Sequence, residues 1–198
     1  MVKLNNTYYI LRHGESQGNV KNIVSCWPEK FYNPLTKKGK EQIKDAAVKL
    51  KTKNIDIIFC SPILRAEQTA EIVGKRLGLK PKVDRRLREL GFGIFNSKSV
   101  EEFVRHFANH SDRIKNKPPK GENYQDVTKR MFEFFKNINK KYRGKNILIV
   151  SHQAPLLLLR ARVNGYLMSE SIARLAEIFK EKRITKGELV ELNNNKTL

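Results

Sequence analysis

The stretch Tyr8-Tyr9-Ile10-Leu11-Arg12-His13-Gly14-Glu15-Ser16 decides the fold, because an apolar run of strand-forming residues stops abruptly at charged and small residues. Such a run is typical of a strand that is buried on both faces of a parallel sheet. Sheets of this kind bind ligands beyond the carboxyl ends of their strands. We therefore expect Arg12 and His13 to lie at a binding edge of a sheet.

Both side chains suit phosphate chemistry. Arg12 offers a planar fork of donors to phosphate oxygens, and His13 offers an imidazole that can attack a phosphoryl group. Gly14 has no side chain, so we expect it to let the backbone come close to a ligand. An Arg-His-Gly tripeptide also occurs by chance, and a single histidine is often structural. A phosphate site is therefore indicated only if the other strand ends also carry candidate phosphate ligands.

Four segments have the apolar character of buried strands, namely residues 8–11, 55–60, 146–150 and 188–192. Helical periodicity fills the intervals over residues 36–50, from Ser61-Pro62 to Leu77, and over residues 122–142. Ser61 is expected to cap the second of these helices, with Pro62 as its first residue and Gly74 or Gly78 at its end.

Strands that alternate with helices predict an α/β fold. We expect a three-layer α/β/α sandwich, with a mostly parallel sheet covered by helices on both faces. The chain shows no repeat and no low-complexity linker, so residues 1–198 are predicted to form a single domain.

The other strong strands also end at candidate phosphate ligands. The strand at 55–60 leads to Arg65, in the first turns of a helix whose amino terminus favours anions. The strand at 146–150 leads to Ser151 and His152. Taken alone, Arg65 fits a surface arginine equally well, and His152 fits a core histidine. Two histidines and two arginines at three strand ends favour one shared site.

An ordered series of motifs runs along almost the whole chain. It comprises Leu11–Ser16 with Asn19, Pro34–Thr36 with Gly39 and Gln42, Ser61-Pro62 with Arg65, Ala66 and Thr69, Leu87–Glu89 with Phe92-Gly93, Gly121–Asn123, and Val150–His152. This series resembles the histidine phosphatase superfamily, the phosphoglycerate mutase-like enzymes that work through a phosphohistidine. The resemblance implies that the reaction needs no cofactor.

The resemblance also implies roles for the matching residues. His13 would be the nucleophile and Glu89 the proton donor, although Glu89 lies in a charged stretch where a glutamate normally pairs with arginine at the surface. The predicted phosphate and substrate contacts are Arg12, Asn19, Arg65, His152, Ser25 and Gln153. Two departures from the family pattern, Phe95-Asn96-Ser97 and Gln153, lie around the expected substrate mouth and leave the identity of the substrate open.

The chain of 198 residues has a formal net charge of +20, which attracts anions from a distance. Its lysines are spread along the chain without interleaved aromatic residues, so we expect only non-specific attraction to nucleic acid. Two cysteines, Cys26 and Cys60, are too few for a disulfide framework and show no metal-site spacing, which favours the cytoplasm. No apolar run is long enough to span a membrane, and we predict no metal site.

Three functions remain open at this point. The preferred one is a cytoplasmic, metal-independent phosphatase that hydrolyses small phosphomonoesters, in which arginines neutralise the phosphate and His13 attacks it. The second is a phosphoglycerate mutase, which would return the phosphoryl group to its substrate. The third is a basic nucleic-acid-binding protein on a degenerate fold. The sequence leaves the oligomeric state undetermined.

Overall fold

The computed structural model of the protein describes residues 2–165 and 183–192, and these contain a five-stranded sheet with helices on both faces. In chain order the elements are β1 (Thr7–Arg12), α1 (Gln17–Val20), α2 (Lys37–Leu50), β2 (Ile57–Cys60), α3 (Leu64–Leu77), β3 (Lys82–Val83), α4 (Val100–Arg105), α5 (Tyr124–Lys141), β4 (Asn146–Ser151), α6 (Gln153–Val163) and β5 (Leu189–Glu191). Short 3₁₀ turns include Arg85–Leu87 and Gly93–Phe95.

The strands follow the order β3-β2-β4-β1-β5. β1 and β2 flank β4 in parallel, β3 is parallel to β2, and β5 is antiparallel to β1. Leu11 and Cys60 both pair with Val150, so the carboxyl ends of three strands lie at the same level. The predicted mostly parallel α/β sheet is confirmed.

Alternate side chains of the buried strands enter two separate hydrophobic layers. Tyr8 and Ile10 of β1 belong to the layer formed with α5 and α6. Tyr9 and Leu11 belong to the layer formed with α2 and α3. This division explains why the strands are apolar throughout rather than alternating.

The predicted start of α3 was wrong. The helix begins at Leu64, with Ile63 at the N-cap, rather than at Ser61-Pro62. The hydroxyl of Ser61 accepts the N–H of Ile63 and lies 2.8 Å from His152 Nε2, so it holds the turn before the helix and contacts the site. The end of α3 is as predicted, because Gly78 adopts a left-handed conformation there.

The start of α5 and the presence of β3 also differ from expectation. α5 begins at Tyr124 rather than at Glu122, because the side chain of Asn123 accepts the N–H of Asp126 and caps the helix. β3 was not predicted, since its two residues are exposed and carry no buried-strand pattern. Within the described residues, we find no helix that is both long and apolar enough to cross a membrane.

Candidate active site

The carboxyl ends of β1 and β4 bring His13 and His152 together. Arg12 pairs with Ser151 across the sheet, and the N–H of His13 donates to the carbonyl oxygen of Ser151 at 3.1 Å. The two imidazole rings lie edge to face, with their centroids 5.1 Å apart. Both histidines are buried.

Arg65 reaches the same place from the first turn of α3. Its Nε–H donates to Nε2 of His13 at 3.1 Å, and its Nη2 donates to the carbonyl oxygen of Ser25 at 3.0 Å. The guanidinium is buried, and its nearest acidic contact is Glu29, at 3.8 Å. The three strand ends singled out from the sequence therefore converge.

The contacts of His13 determine its tautomer. Nδ1 lies 2.7 Å from the carbonyl oxygen of Gly14, which can only accept, so Nδ1 carries the proton. Nε2 is then left with a lone pair, in agreement with the N–H that Arg65 donates to it. Burial, with Arg65 and Arg12 nearby, lowers the pKa of His13 well below its usual value. The imidazole is thus a neutral base at neutral pH.

His152 is also kept neutral. Burial lowers its pKa, and the charges of Arg65 and Arg12 act in the same direction. Its Nδ1 is buried with no hydrogen-bond partner among the described residues and lies 3.9 Å from Oε2 of Glu89. Because the imidazole is neutral, this approach is not an ion pair.

Arg12 supplies a second positive charge beside His13. Its Nη1 donates to the carbonyl oxygen of Ile184 at 2.8 Å, which orients the guanidinium. Burial lowers the pKa of Arg12 to about 10, with Arg183 and Arg65 adding to the effect and Glu89 opposing it. The group remains charged at neutral pH.

Glu89 lies in a segment without regular secondary structure, between the two 3₁₀ turns. Its side chain is only 12% exposed, and Oε1 accepts the N–H of Leu90 at 2.8 Å. Burial raises the pKa of Glu89, although the charges of Arg65 and Arg12 oppose this rise. A carboxyl group whose protonated form is favoured is suited to donating a proton.

A cavity of about 380 Å³ opens at these groups. Of the residues predicted from the sequence, Arg12, His13, Asn19, Ser25, Arg65, Glu89 and Gln153 line it. Oδ1 of Asn19 accepts the N–H of Ser16, so its amide N–H groups remain for a ligand. His152 lies behind, against the ring of His13. The sequence-predicted residues are thus together, while their roles stay predictions.

Sequence reasoning missed six polar or charged residues that also line the cavity: Asn22, Asn33, Arg113, Tyr124, Arg183 and Lys186. None follows a strand end, and Arg113 lies in a charged segment that resembles any solvated surface. The expectation for Gly14 needs correction too, because the position that a Cβ would take there faces the backbone of Gly39 in α2, and Gly14 does not line the cavity. A side chain at position 14 would collide with that carbonyl, so the glycine serves close packing.

Among residues 2–165 and 183–192 there is no group of three His, Cys, Asp or Glu side chains that could hold a metal ion. The positive charge that faces the cavity comes from guanidinium and ammonium groups.

Comparisons with known proteins place the chain in a family. Residues 8–176 match the model of the histidine phosphatase superfamily (branch 1). Adenosylcobalamin/alpha-ribazole phosphatase of Escherichia coli K12 is 30% identical over 162 residues, which cover 79% of this chain and 78% of that protein. Probable phosphoglycerate mutase GpmB of Escherichia fergusonii is 28% identical, with 79% and 74% covered.

A solved structure has the same fold as this chain. The alpha-ribazole phosphatase from Shigella flexneri superposes with a TM-score of 0.78 and 28% identity, over 96% of this chain and 91% of that one. With three strand ends converging on paired histidines and arginines, and with the family model matching most of the sequence, this chain belongs to the histidine phosphatase superfamily, branch 1.

Proposed function

We propose that this protein is a phosphatase that hydrolyses small phosphomonoesters through a phosphohistidine on His13. One observation carries the proposal: a neutral imidazole whose Nε2 lone pair lies at a cavity that the buried Arg65 and the partly buried Arg12 also line. The relatives that are named phosphatases support the same reaction class.

The first step is attack on phosphorus. Arg12 and Arg65 neutralise the phosphate dianion through charge-assisted hydrogen bonds, which removes its repulsion of a nucleophile. When Arg65 donates to phosphate oxygens, Nε2 of His13 is released to attack in line. A P–N bond forms, the P–O bond to the leaving group breaks, and protonated Glu89 gives its proton to the departing oxygen. His152 supports the transferring group through Nδ1.

The second step returns the enzyme to its starting state. The carboxylate of Glu89 takes a proton from water, the water oxygen bonds to phosphorus, and the P–N bond breaks. Inorganic phosphate leaves, while His13 regains its lone pair and Glu89 its proton. The arginines supply the charge neutralisation, so the scheme routes no step through a metal ion.

The test follows the phosphoryl group on the protein. Wild-type enzyme mixed with p-nitrophenyl phosphate and quenched in alkali should gain the mass of one phosphoryl group, which acid treatment removes. His13→Ala should give neither this mass nor turnover, while His106→Ala, which changes an exposed histidine, should give both. Unchanged turnover in His13→Ala would show that another group is the nucleophile.

The second candidate is a phosphoglycerate mutase, favoured by the 28% identity to the relative with that name. It would use the same phosphohistidine but return the phosphoryl group to a substrate hydroxyl. The resemblance implies a longer segment in dedicated mutases between the counterparts of Glu89 and His152 than this chain has, which is why we prefer the phosphatase. Incubation with 3-phosphoglycerate distinguishes them, since release of inorganic phosphate without the 2-phospho isomer excludes the mutase.

We place the enzyme in the cytoplasm, with small phosphorylated metabolites as its substrates. Cys26 and Cys60 are both buried and unpaired, which fits a reducing compartment. The cavity of about 380 Å³ is of a size typical of small-molecule sites.

A further inference from the structure

Arg130, on α5, lies outside the cavity lining and holds the backbone that carries Glu89. It is buried, with 8% of its surface exposed. Its Nη1 donates to the carbonyl oxygens of Arg86 and Arg88 at 2.6 and 2.8 Å, and its Nη2 donates to that of Glu89 at 3.0 Å. One side chain therefore binds three carbonyl oxygens of a single short segment.

Glu122 completes the arrangement. Its Oε1 accepts Nε–H of Arg130 at 2.9 Å, and its Oε2 accepts Nη2–H at 2.8 Å. Oε2 also accepts the N–H of Gly91 at 3.0 Å, while the backbone N–H of Glu122 donates to the carbonyl oxygen of Gly91 at 2.9 Å. Arg130 thus holds the segment at the carbonyl oxygen of Glu89, and Glu122 holds it at the backbone of Gly91.

Each N–H donor of Arg130 has an acceptor. A guanidinium has five N–H donors, and Arg130 has five acceptors, three from the backbone and two from Glu122. An ion pair between a buried arginine and a mostly buried glutamate, satisfied in this way, is rigid, whereas the loss of Arg130 removes a donor from each of three backbone carbonyl oxygens.

We propose that Arg130 and Glu122 are positioning residues, which hold Glu89 where its carboxyl group can protonate the leaving oxygen. The inference rests on the proposed function. Residues 88–92 have no regular secondary structure, so strand or helix bonding does not fix the place of Glu89. A proton donor must lie within hydrogen-bond reach of its target, and a misplacement of 1 Å can cost about 100-fold in rate.

This role predicts a dependence on the leaving group. An alkoxide is a poor leaving group and needs the proton of Glu89, whereas p-nitrophenolate leaves readily without it. Loss of the positioning residues should therefore impair alkyl phosphates far more than aryl phosphates. A residue that only stabilised the fold would affect both substrates equally.

The experiment compares kcat/KM on butyl phosphate and on p-nitrophenyl phosphate for Arg130→Lys and Glu122→Gln, because kcat/KM reports the step in which the leaving group departs and not the later hydrolysis that both esters share. We expect kcat/KM for butyl phosphate to fall by about 100-fold, with a much smaller loss on the aryl ester. Glu122→Gln keeps the shape of the side chain, so it provides the test if Arg130→Lys does not fold.

Asn139→Ala is the matched control, because Asn139 is also a buried polar residue of α5 but bonds near the chain's amino terminus. It should leave the ratio of the two kcat/KM values unchanged. Equal losses on both esters in the folded variants, or no loss on butyl phosphate, would overturn the positioning role. The proposed function fails separately, if the wild-type enzyme forms no phosphohistidine with the aryl ester.

Discussion

Nε of Arg65 lies 3.1 Å from Nε2 of His13 and donates a hydrogen bond to it. Burial and the cation beside the lone pair both disfavour the imidazolium, which lowers the pKa of His13 and keeps the base neutral. The same guanidinium is placed to bind phosphate, so one residue both preserves the nucleophile and neutralises its target. Arg65 must exchange this hydrogen bond for phosphate oxygens before His13 can attack.

Arg65→Lys should separate these two effects. A lysine is a point charge without the planar fork, so we expect kcat/KM for p-nitrophenyl phosphate to fall by about 10² to 10³-fold. Weaker interaction with the cation should raise the pKa of His13, and the acid limb of the pH–rate profile should move to higher pH. Arg76→Lys, at an exposed position in the last turn of α3, is the control. An unmoved acid limb would contradict this account of the neutral imidazole.

Asn139→Ala tests hydrogen bonds that stabilise the fold outside the active site. Its Oδ1 accepts from the hydroxyl of Tyr8 and the N–H of Asn5, and its Nδ2 donates to the carbonyl oxygen of Lys3. Truncation removes the acceptor of the buried Tyr8 hydroxyl and two partly buried bonds to the amino-terminal segment, so the free energy of unfolding should fall by about 1–3 kcal/mol in urea titrations. Asn137→Ala, exposed on the same helix, should change it little. A loss of equal size in both variants would contradict this account, because alanine favours the helix more than asparagine at either position and only the bonds of Asn139 differ between them.

The strands and the convergence of the site could be predicted because both depend on local patterns. An apolar run followed by a polar residue marks a strand end, and parallel strands bring their carboxyl ends to one edge. His13, Arg65 and His152 meet for this reason. The start of α3 could not be read in the same way, since Ser61 is used by His152 as well as by the turn.

The positioning role of Glu122 and Arg130 could not be predicted from short sequence motifs. Glu122 and Arg130 are eight positions apart, and Arg130 meets its backbone acceptors more than forty positions earlier in the chain. Nothing local distinguishes such an arginine from the others in a chain with 40 lysines and arginines. The contact exists only once α5 packs beside the segment of Glu89.

The net charge of +20 predicts adhesion to nucleic acid at low salt. Without interleaved aromatic residues to stack on bases, the attraction is electrostatic and weakens as the salt concentration rises. We expect retardation of a random DNA duplex in 20 mM salt to disappear by about 200 mM salt. Binding that persists at the higher salt would favour the nucleic-acid-binding function instead.

Glu89→Gln should reveal the cost of burying this carboxyl group. Burial raises the pKa of Glu89 above its unfolded value of about 4.3. The stability that the protonated group contributes is therefore fully present below that unfolded value and is lost as the pH rises through the raised folded pKa. Glutamine has no charge to bury, so the variant should lack this loss and become the more stable protein at pH 8.

Activity should change in the opposite direction. Without a proton donor, kcat for butyl phosphate should fall by about 10² to 10⁴-fold and lose its alkaline limb. Glu71→Gln, at an exposed position of α3, should alter neither the pH dependence of Tm nor the rate. If Glu89→Gln is less stable than wild type at pH 8 and keeps its rate on butyl phosphate, the carboxyl group is ionised in the native protein and serves the fold rather than the proton transfer.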